Sequence, residues 1–519
     1  MMVNTKSQCF NQDMKNGIVY LLGAGPGDPG LITIRGKELI STADVLIYDA
    51  LVSPEIIAWA PSTCTLLYVG KRSSHHALPQ EQINQLLITE ANKGQSVVRL
   101  KGGDPYIFGR GGEEAEALYD ANIRFEVIPG ITSALAGPAY AGIPITHRKH
   151  CTQFTVFTGH EDANKKESSL NLQQIAQASG TKVILMGMSN LKTILAGLIT
   201  HGQNDQTPAA AIQWATTGRQ KTVIGTVATL AKEVTKAHLG APAVVVIGEV
   251  IQERTKLNWF ESLPLFGKRI VVTRTRSQAG ELSQKLRLLG ADVIELPTIR
   301  ITDPDDKHEF AQLVVDAHNY QWLIFTSPNG VDRFFKAFFC AYNDIRSLGG
   351  ARIAAIGKGT EAKLTALGLH TDILPEKSVA ESLLKALKNA QNEFGSFEHC
   401  NMLWVRGNEA RDVLSKGLLD MQAILDECIA YQTVLETEDP TGAKALLEQE
   451  GADIITFTSS STVDNFFQLG ITWPHQCKAA SIGPITSKSL VAQGHKPSIT
   501  AKEHDINGLV DAIVKAVGK

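Results

Sequence analysis

Short apolar, β-branched runs recur along the chain, at residues 18–22, 45–48, 97–100, 154–158, 183–186, 244–247 and 270–272, with amphipathic stretches between them. Runs of that length suit buried strands, and their alternation with helical stretches predicts α/β domains built on mainly parallel sheets. At 519 residues the chain is too long for a single core, so about three or four compact units are expected. The pattern breaks after Val250, where IQERTKLNWFESLPLFGKR mixes charges, a proline and aromatic residues before the next strand begins. Residues 251–266 therefore read as a linker that packs, because Trp259, Phe260 and Phe266 require a surface to cover them.

The second half repeats itself. LIFTSPNGVDRFF at 323–335 returns as ITFTSSSTVDNFF at 455–467, with Thr326 and Thr458 in register. AAIGKGTEAKLTALG at 354–368 returns as ASIGPITSKSLVAQG at 480–494. VVTRTRSQAGELSQKL at 271–286 has a looser echo in LWVRGNEARDVLSKGL at 403–418, which aligns Arg274 with Arg406. Three ordered echoes predict two similar α/β units. In each, a strand ends in a Thr-Ser turn and a helix follows, so hydroxyls and free N–H groups collect at the carboxyl end of a sheet, where open α/β sheets bind ligands. Two such units facing each other would line a cleft suited to a polyanion. One Thr-Ser pair alone would read as helix capping, and the two uses are compatible.

Three glycine turns follow strands in the first half. GAGPGDPG at 23–30 contains G-x-G-x-x-G at Gly25, Gly27 and Gly30, the spacing of a dinucleotide turn, with Asp49 further along the chain. The chemistry opposes that use: Pro26 and Pro29 have no N–H, and Asp28 sets an anion where a pyrophosphate would sit. RLKGGDPYIFGRGGEE at 99–114 repeats the motif at Gly103-Asp104-Pro105, and the small-residue-rich VIPGITSALAGPAYAGIPITHR at 127–148 carries Thr132-Ser133. Three ligand-friendly turns, none a Walker loop, point to a sizeable neutral or zwitterionic cofactor, with Asp104 suited to an ammonium or ribose hydroxyls.

A net charge of −3 argues against an overall nucleic-acid binder, though a local basic pocket stays open. Seven scattered cysteines without a C-x-x-C pair suggest neither a disulfide framework nor a zinc site, and favour a reducing cytoplasm. The polar first sixteen residues lack an apolar core, and no long apolar run follows, so neither export nor membrane insertion is expected. His75-His76, and His147 with His150, invite a metal reading. No carboxylate or cysteine stands at a metal-ligand spacing from them, so surface or hydrogen-bonding roles are expected and no metal is assigned.

After a polar tail at 1–16, five ordered motifs resemble the uroporphyrinogen-III C-methyltransferases of the tetrapyrrole methylase family: LLGAGPGDPGLIT, ADVLIYDALVS, VGKR, RLKGGDPYIFGRGGEE and PGITSALAGPAYAGIPITHR. The resemblance covers 17–250, implying α/β subdomains at about 17–130 and 131–250. Residues 267–519, opening with LFGKRIVVTRTRSQ, resemble uroporphyrinogen-III synthase in the internal repeat, the two FTS turns, Tyr431 in CIAYQTV, and the fusion itself, which joins consecutive steps.

For the first half the resemblance implies two methyl transfers from S-adenosylmethionine to C2 and C7 of uroporphyrinogen III. The products are precorrin-2, on the siroheme and cobalamin branch, and S-adenosylhomocysteine. Family cofactor contacts carry onto Pro26, onto Gly102, Gly103, Asp104 and Ile107, onto Thr132 and Ser133, and onto Met186. They also carry onto Ala215, where some relatives have glycine and the pocket is tighter here, and onto Ala243 near the adenine. Asp49 and Lys71 fall on the family's proposed base and acid; Asp49 alone would read as a turn cap, and Lys71 equally as a carboxylate ligand. The substrate's eight carboxylates call for cations, and Lys71, Arg72, Lys101, Arg110 and Arg148 are the candidates.

For the second half the resemblance implies closure of hydroxymethylbilane with inversion of ring D, without metal or cofactor. Tyr431 would assist the leaving hydroxide, and Thr326, Ser327, Arg406, Thr458 and Ser459 would bind the acid side chains. A bifunctional cytoplasmic enzyme acting on small tetrapyrroles is expected, ending at precorrin-2, with homodimerisation through the methyltransferase half and no nucleic-acid or membrane partner. The alternatives are a methylase of another precorrin whose second half binds tetrapyrrole without turnover, and a periplasmic-type ligand receptor.

Overall fold

The computed structural model describes residues 17–61, 63–70, 78–160, 170–274, 276–409, 412–439 and 441–518; Lys71, Arg72, His75 and His76 lie outside them. Among the described residues the apolar runs become strands of four five-stranded sheets, with helices between them. The first sheet holds β1 (Ile18–Gly23), β2 (Val45–Tyr48), β3 (Thr65–Tyr68), β4 (Ser96–Lys101) and β5 (Arg124–Ile128), in the order β3-β2-β4-β1-β5. All its pairings are parallel. Helices cover both faces and bury Val19, Leu21, Val97 and Val45 on one side and Leu22, Leu46, Val98 and Leu100 on the other. The connections thereby deliver the turns after β1, β4 and β5, three adjacent strands, to one edge.

The second sheet departs from the parallel expectation. It comprises β6 (Phe154–Thr158), β7 (Thr181–Leu185), β8 (Pro208–Gln213), β9 (Lys221–Thr226) and β10 (Ala243–Ile247), ordered β6-β7-β10-β8-β9. Only β6 and β7 run parallel. The connection at 214–220 is too short to cross over the sheet, which forces β8 and β9 to be antiparallel. No helix among the described residues is long and apolar enough to cross a membrane.

The linker packs as its aromatics require. Trp259 and Phe260 lie edge-on to Tyr140, with ring centroids 5.0 and 4.8 Å away, and Phe266 continues the cluster. The Trp259 indole N–H donates to Ala139 O at 3.2 Å.

Beyond it the chain starts a third sheet with β11 (Arg269–Val272) and β12 (Asp292–Glu295). It then leaves to build a fourth from β13 (Ile299–Thr302), β14 (Trp322–Phe325), β15 (Arg352–Ala355), β16 (Asn401–Gly407) and β17 (Ile424–Leu435). It returns to complete the third with β18 (Ile454–Phe457), β19 (Lys478–Ser481) and β20 (Ile499–Thr500). Accordingly, the molecule divides into two units, Met1–Leu296 with Asp439–Lys519, and Pro297–Glu438.

The echoes fall on matching elements. β11, β18 and β19 are consecutive neighbours in the order β12-β11-β18-β19-β20, and their counterparts β16, β14 and β15 are consecutive in β13-β17-β16-β14-β15. The two copies differ by a circular permutation: in one the β11 counterpart comes first along the chain, in the other it comes after the β14–β15 pair. These sheets are parallel except where the far half of the long β17 pairs antiparallel with β13.

The core of the Pro297–Glu438 unit centres on Phe325, Phe334, Phe335 and Phe338, with Phe334 fully buried. Phe334→Ala is expected to destabilise this unit by about 3–5 kcal/mol. Native-state hydrogen exchange checks it: protection should fall by that amount at β14 and β16 and stay unchanged at β1 and β4.

Candidate functional site

Backbone contact assembles the first site. The Gly25 and Gly103 backbones exchange two hydrogen bonds, of 2.7 and 3.1 Å, which join the turn after β1 to the turn after β4. A Cβ on Gly23 would lie 2.6 Å from Gly130 Cα, and one on Gly130 only 2.3 Å from Gly103 O, so only glycine permits this approach. Asp104 secures the same junction: Oδ1 accepts from the Tyr106 and Ile107 N–H groups at 2.8 and 3.2 Å, and Oδ2 from Gly130 N–H at 3.0 Å. Its carboxylate is thus occupied in holding the turns.

Gly103 has φ of +72°, and a Cβ there would stand 3.8 Å from Thr132 Cα and 3.9 Å from Ser133 N. The second turn therefore faces the third backbone to backbone at this glycine. Thr132 caps the helix Ser133–Tyr140, accepting from Ala134 N–H at 3.3 Å. Pro26 sits in the first turn and Ile107 projects, exposed, from the second.

The second sheet closes onto the first turn. Asp28 N–H donates to Thr216 Oγ1 at 3.0 Å, and Tyr140 O–H donates to Asp28 Oδ2 at 2.7 Å. Burial, then Asp28, raises the Tyr140 pKa and keeps it a donor. A Cβ on Gly27 would meet Thr217 Cγ2 at 2.9 Å and Ala215 O at 3.2 Å, which places Ala215 against this turn. Ala243 pairs with Gln213, and Met186 directly follows Leu185, the partner of Val244, so Met186, Ala243 and Ala215 share one end of the second sheet. Met186 is half-exposed with φ of +52°; Trp214 and Thr216 are also left-handed, a concentration of strained backbone beside the turn.

Beneath the turns lies a buried charge cluster. Arg99 and Lys101 alternate on β4, and Glu114 on the helix Gly111–Asp120 meets both: its Oε1 accepts from Arg99 Nε at 3.1 Å, Lys101 Nζ at 2.9 Å and Gln80 Nε2 at 3.2 Å. Glu114 Oε2 is buried with no partner among the described residues. Arg99 also stands 3.9 Å from Asp49 Oδ2. Asp49 follows β2 at the level of Lys101, accepts from Leu51 N–H at 3.2 Å, and remains partly open to solvent.

This cluster corrects the role assigned to Lys101. Buried and bonded to Glu114, it is no free cation for a ligand carboxylate, and burial followed by Arg99 pushes its ammonium below the ordinary lysine value. Arg110 pairs with Glu113 at 2.6 Å, and Arg148 is exposed. Glu114 escaped the sequence reading, although the signal was there: two cations in an otherwise apolar buried strand demand a carboxylate. Leu51, Tyr106, Ile107, Phe108, Ile131 and Leu135 add exposed apolar side chains on and beside these turns.

In the Pro297–Glu438 unit, a bulge between Arg406 and Gly407 shifts the pairing so that Gly407 lies opposite Tyr431. The Tyr431 ring occupies the place of a Gly407 side chain, 2.7 Å from the Cβ position. Its O–H donates to Ser327 Oγ at 3.0 Å, and burial raises its pKa. Ser327 caps the helix Pro328–Ala341 through Gly330 N–H at 3.0 Å, and Trp404 Nε1 donates to Thr326 Oγ1 at 2.9 Å.

Arg406 is corrected as well. It is buried, stacked 4.6 Å from the Trp404 ring centroid, and donates to Glu427, Gly407 O and Asn408 O, so its guanidinium is held inside the unit. In the other copy, Thr458 follows β18 and Ser459 caps the helix Ser460–Gln468 in a reciprocal box with Thr462.

Comparison with known proteins matches residues 18–231 to the tetrapyrrole (corrin/porphyrin) methylases and residues 280–511 to uroporphyrinogen-III synthase HemD. A porphyrin biosynthesis protein HemD from Ruminiclostridium josui is 36% identical over 96% of this chain and 95% of its own. A uroporphyrinogen-III C-methyltransferase from Bacillus subtilis is 49% identical over 47% of this chain and 95% of its own. An S-adenosyl-L-methionine-dependent uroporphyrinogen III methyltransferase from Methanosarcina barkeri is 47% identical, covering 45% of this chain and 92% of its own.

Glu114→Gln removes the charge that offsets Arg99 and Lys101, and a loss of about 3–5 kcal/mol in stability is expected. Chemical denaturation checks it. Adding Lys101→Met to the same variant should recover part of the loss, since one uncompensated cation then disappears.

Proposed function

Because the chain belongs to the tetrapyrrole methylases through its first half and to the uroporphyrinogen-III synthases through its second, we propose that it carries out two consecutive steps. It closes hydroxymethylbilane to uroporphyrinogen III with inversion of ring D, and methylates that product at C2 and C7 to precorrin-2, toward siroheme or cobalamin. The observation that supports the methylation reading is the convergence of the three glycine turns, where Gly103 bonds to Gly25 and faces Thr132 and Ser133, while Asp49 follows β2, the neighbour of β4. It suits S-adenosylmethionine, a zwitterion that needs close backbone approach and no phosphate-binding N–H array. When bound, this cosubstrate supplies an electrophilic sulfonium methyl group.

The protein's own residues do the rest. Gly102, Gly103, Ile107, Thr132 and Ser133 form the wall on one side, with Pro26 in the first turn. Ala215, Met186 and Ala243 form the other wall, and Asp104 acts by holding the turns together. Exposed Leu51, Ile107, Phe108 and Leu135 offer apolar contact to the flat faces of a macrocycle. Asp49 takes the proton that the macrocycle loses after methylation, and the Arg99 guanidinium, 3.9 Å away, orients its carboxylate. Arg110 and Arg148, with Lys71 and Arg72, supply cations for the substrate's carboxylates.

In the second half Tyr431 is the proton donor to the departing hydroxyl. Its raised pKa keeps the phenol protonated at neutral pH, and Ser327 fixes its direction. The carbon–oxygen bond breaks and the hydroxyl leaves as water, the new carbon–carbon bond closes the ring, and the proton that the substituted pyrrole then releases returns to the Tyr431 phenolate. The turns at Thr326-Ser327 and Thr458-Ser459 bind the acid side chains through first-turn N–H groups and hydroxyls.

The test supplies hydroxymethylbilane anaerobically to the purified protein, with and without S-adenosylmethionine, and identifies products by chromatography and mass. Isomer III alone, and a dimethylated product with the cosubstrate, are expected. Asp49→Asn should lower methylation by about 10²-fold or more while sparing ring closure. Tyr431→Phe should slow ring closure by about tenfold or more while sparing methylation of added uroporphyrinogen III. Isomer I alone, as in the enzyme-free control, would remove the synthase assignment.

A further inference from the structure

Along the chain, no carboxylate stands at a metal-ligand spacing from His147 and His150. Folding supplies one from a hundred residues away. Glu253, at the end of the short helix Glu249–Glu253 that follows β10, places Oε1 2.8 Å from His150 Nε2. The ring centroids of His147 and His150 lie 5.0 Å apart, and one ligand atom from each of the three residues falls within 4.8 Å of the others. We propose that His147, His150 and Glu253 bind a divalent transition-metal ion, with Zn²⁺ the best match.

The frame is built to present these groups. The 147–151 turn is closed by His150 N–H and Cys151 N–H, both donating to His147 O, at 2.9 and 3.0 Å. That closure sets the two imidazoles on one side of the turn, three residues apart. Lys149 N–H donates to His147 Nδ1 over a long 3.4 Å, a weak contact that does not involve Nε2. Cys151 is turned elsewhere, its Sγ against Ile145 O and Thr181 Oγ1 at 3.5 and 3.4 Å, so the donor set is two imidazoles and one carboxylate without a thiolate.

That set suits zinc, which takes three protein ligands and completes a tetrahedron with water. The partial exposure of His150 and Glu253, 18% and 21%, leaves an approach for the water. Zinc bonds of about 2.0–2.2 Å bring tetrahedral ligand atoms closer than the present 4.8 Å limit, a change that side-chain rotation provides.

A hydrogen bond from one histidine to Glu253 would need neither the second imidazole nor the closed turn. The location gives the ion a role. The 147–151 turn is where the chain enters the second sheet, and Glu253 is where it leaves toward the linker. An ion there would tie entry to exit.

The test titrates chelator-stripped full-length protein with Co²⁺ alone, reading the visible d–d bands, and then displaces it with Zn²⁺. One Co²⁺ per chain is expected, in a low-coordinate nitrogen–oxygen spectrum without a thiolate charge-transfer band. His150→Ala, His147→Gln and Glu253→Gln should each weaken binding about tenfold or more, and Cys151→Ser should not. Circular dichroism of the stripped variants verifies that each is folded, and agreement among the three keeps the result independent of any one. The proposal is overturned by an absence of saturable one-to-one binding, by unchanged affinity in these variants, or by loss of binding only when His75 and His76 are replaced.

Discussion

At Gly23 and Gly130 the backbones of neighbouring turns pass so close that no side chain fits between them, and the first site depends on that approach. It lets the turns after β1, β4 and β5 touch, it puts Gly130 N–H within reach of Asp104, and it positions the Gly25–Gly103 bridge. The cost is conformational, since glycine loses more freedom on folding than any other residue. Asp104 offsets part of it with three accepted hydrogen bonds. From the same turns, Asp28 reaches the second sheet through Thr216 and the linker through Tyr140, whose ring packs on Trp259 and Phe260. A single glycine-rich junction thereby organises both methylase sheets and the path into the second half.

Charge is handled with the same economy beneath that junction. Two cations on β4 would be untenable in an interior of low dielectric, and one oxygen of Glu114 accepts from both. Arg99 then reaches Asp49, which stands at the boundary with solvent. Interior stability and the orientation of the proposed base are thus linked through one guanidinium.

The second half reaches its architecture by repetition and insertion. A copy of the same three-strand arrangement is threaded into a connection of the other, so strands distant in the chain become neighbours in the third sheet. Each copy ends its central strand in a hydroxyl-bearing turn whose serine caps the next helix. Tyr431 differs: a one-residue bulge and the bare Cα of Gly407 admit its ring next to Ser327, an arrangement without a repeat counterpart in the echoes.

Much of this was legible beforehand, because local signals act locally. Strand runs, glycine turns, capping serines and the linker aromatics each follow from the preferences of a few adjacent residues, and the echoes located matching elements in both copies. The antiparallel pairing of the second sheet is not legible in the apolar runs, because they leave out β8 and β9 and with them the short connection that sets direction. Lys101 and Arg406 looked like free cations since a sequence shows charge without showing its partner; Glu114 and Glu427 complete them only after helix meets strand and strand meets strand. Sequence alone determined where the most apolar strands run, where backbone approaches backbone, and which turns cap helices, all of them matters of short-range sterics and hydrogen bonding. Tertiary structure alone decided which charges are buried together, where Tyr431 points, and that Glu253 joins His147 and His150, because those depend on distances between residues that the chain itself holds far apart.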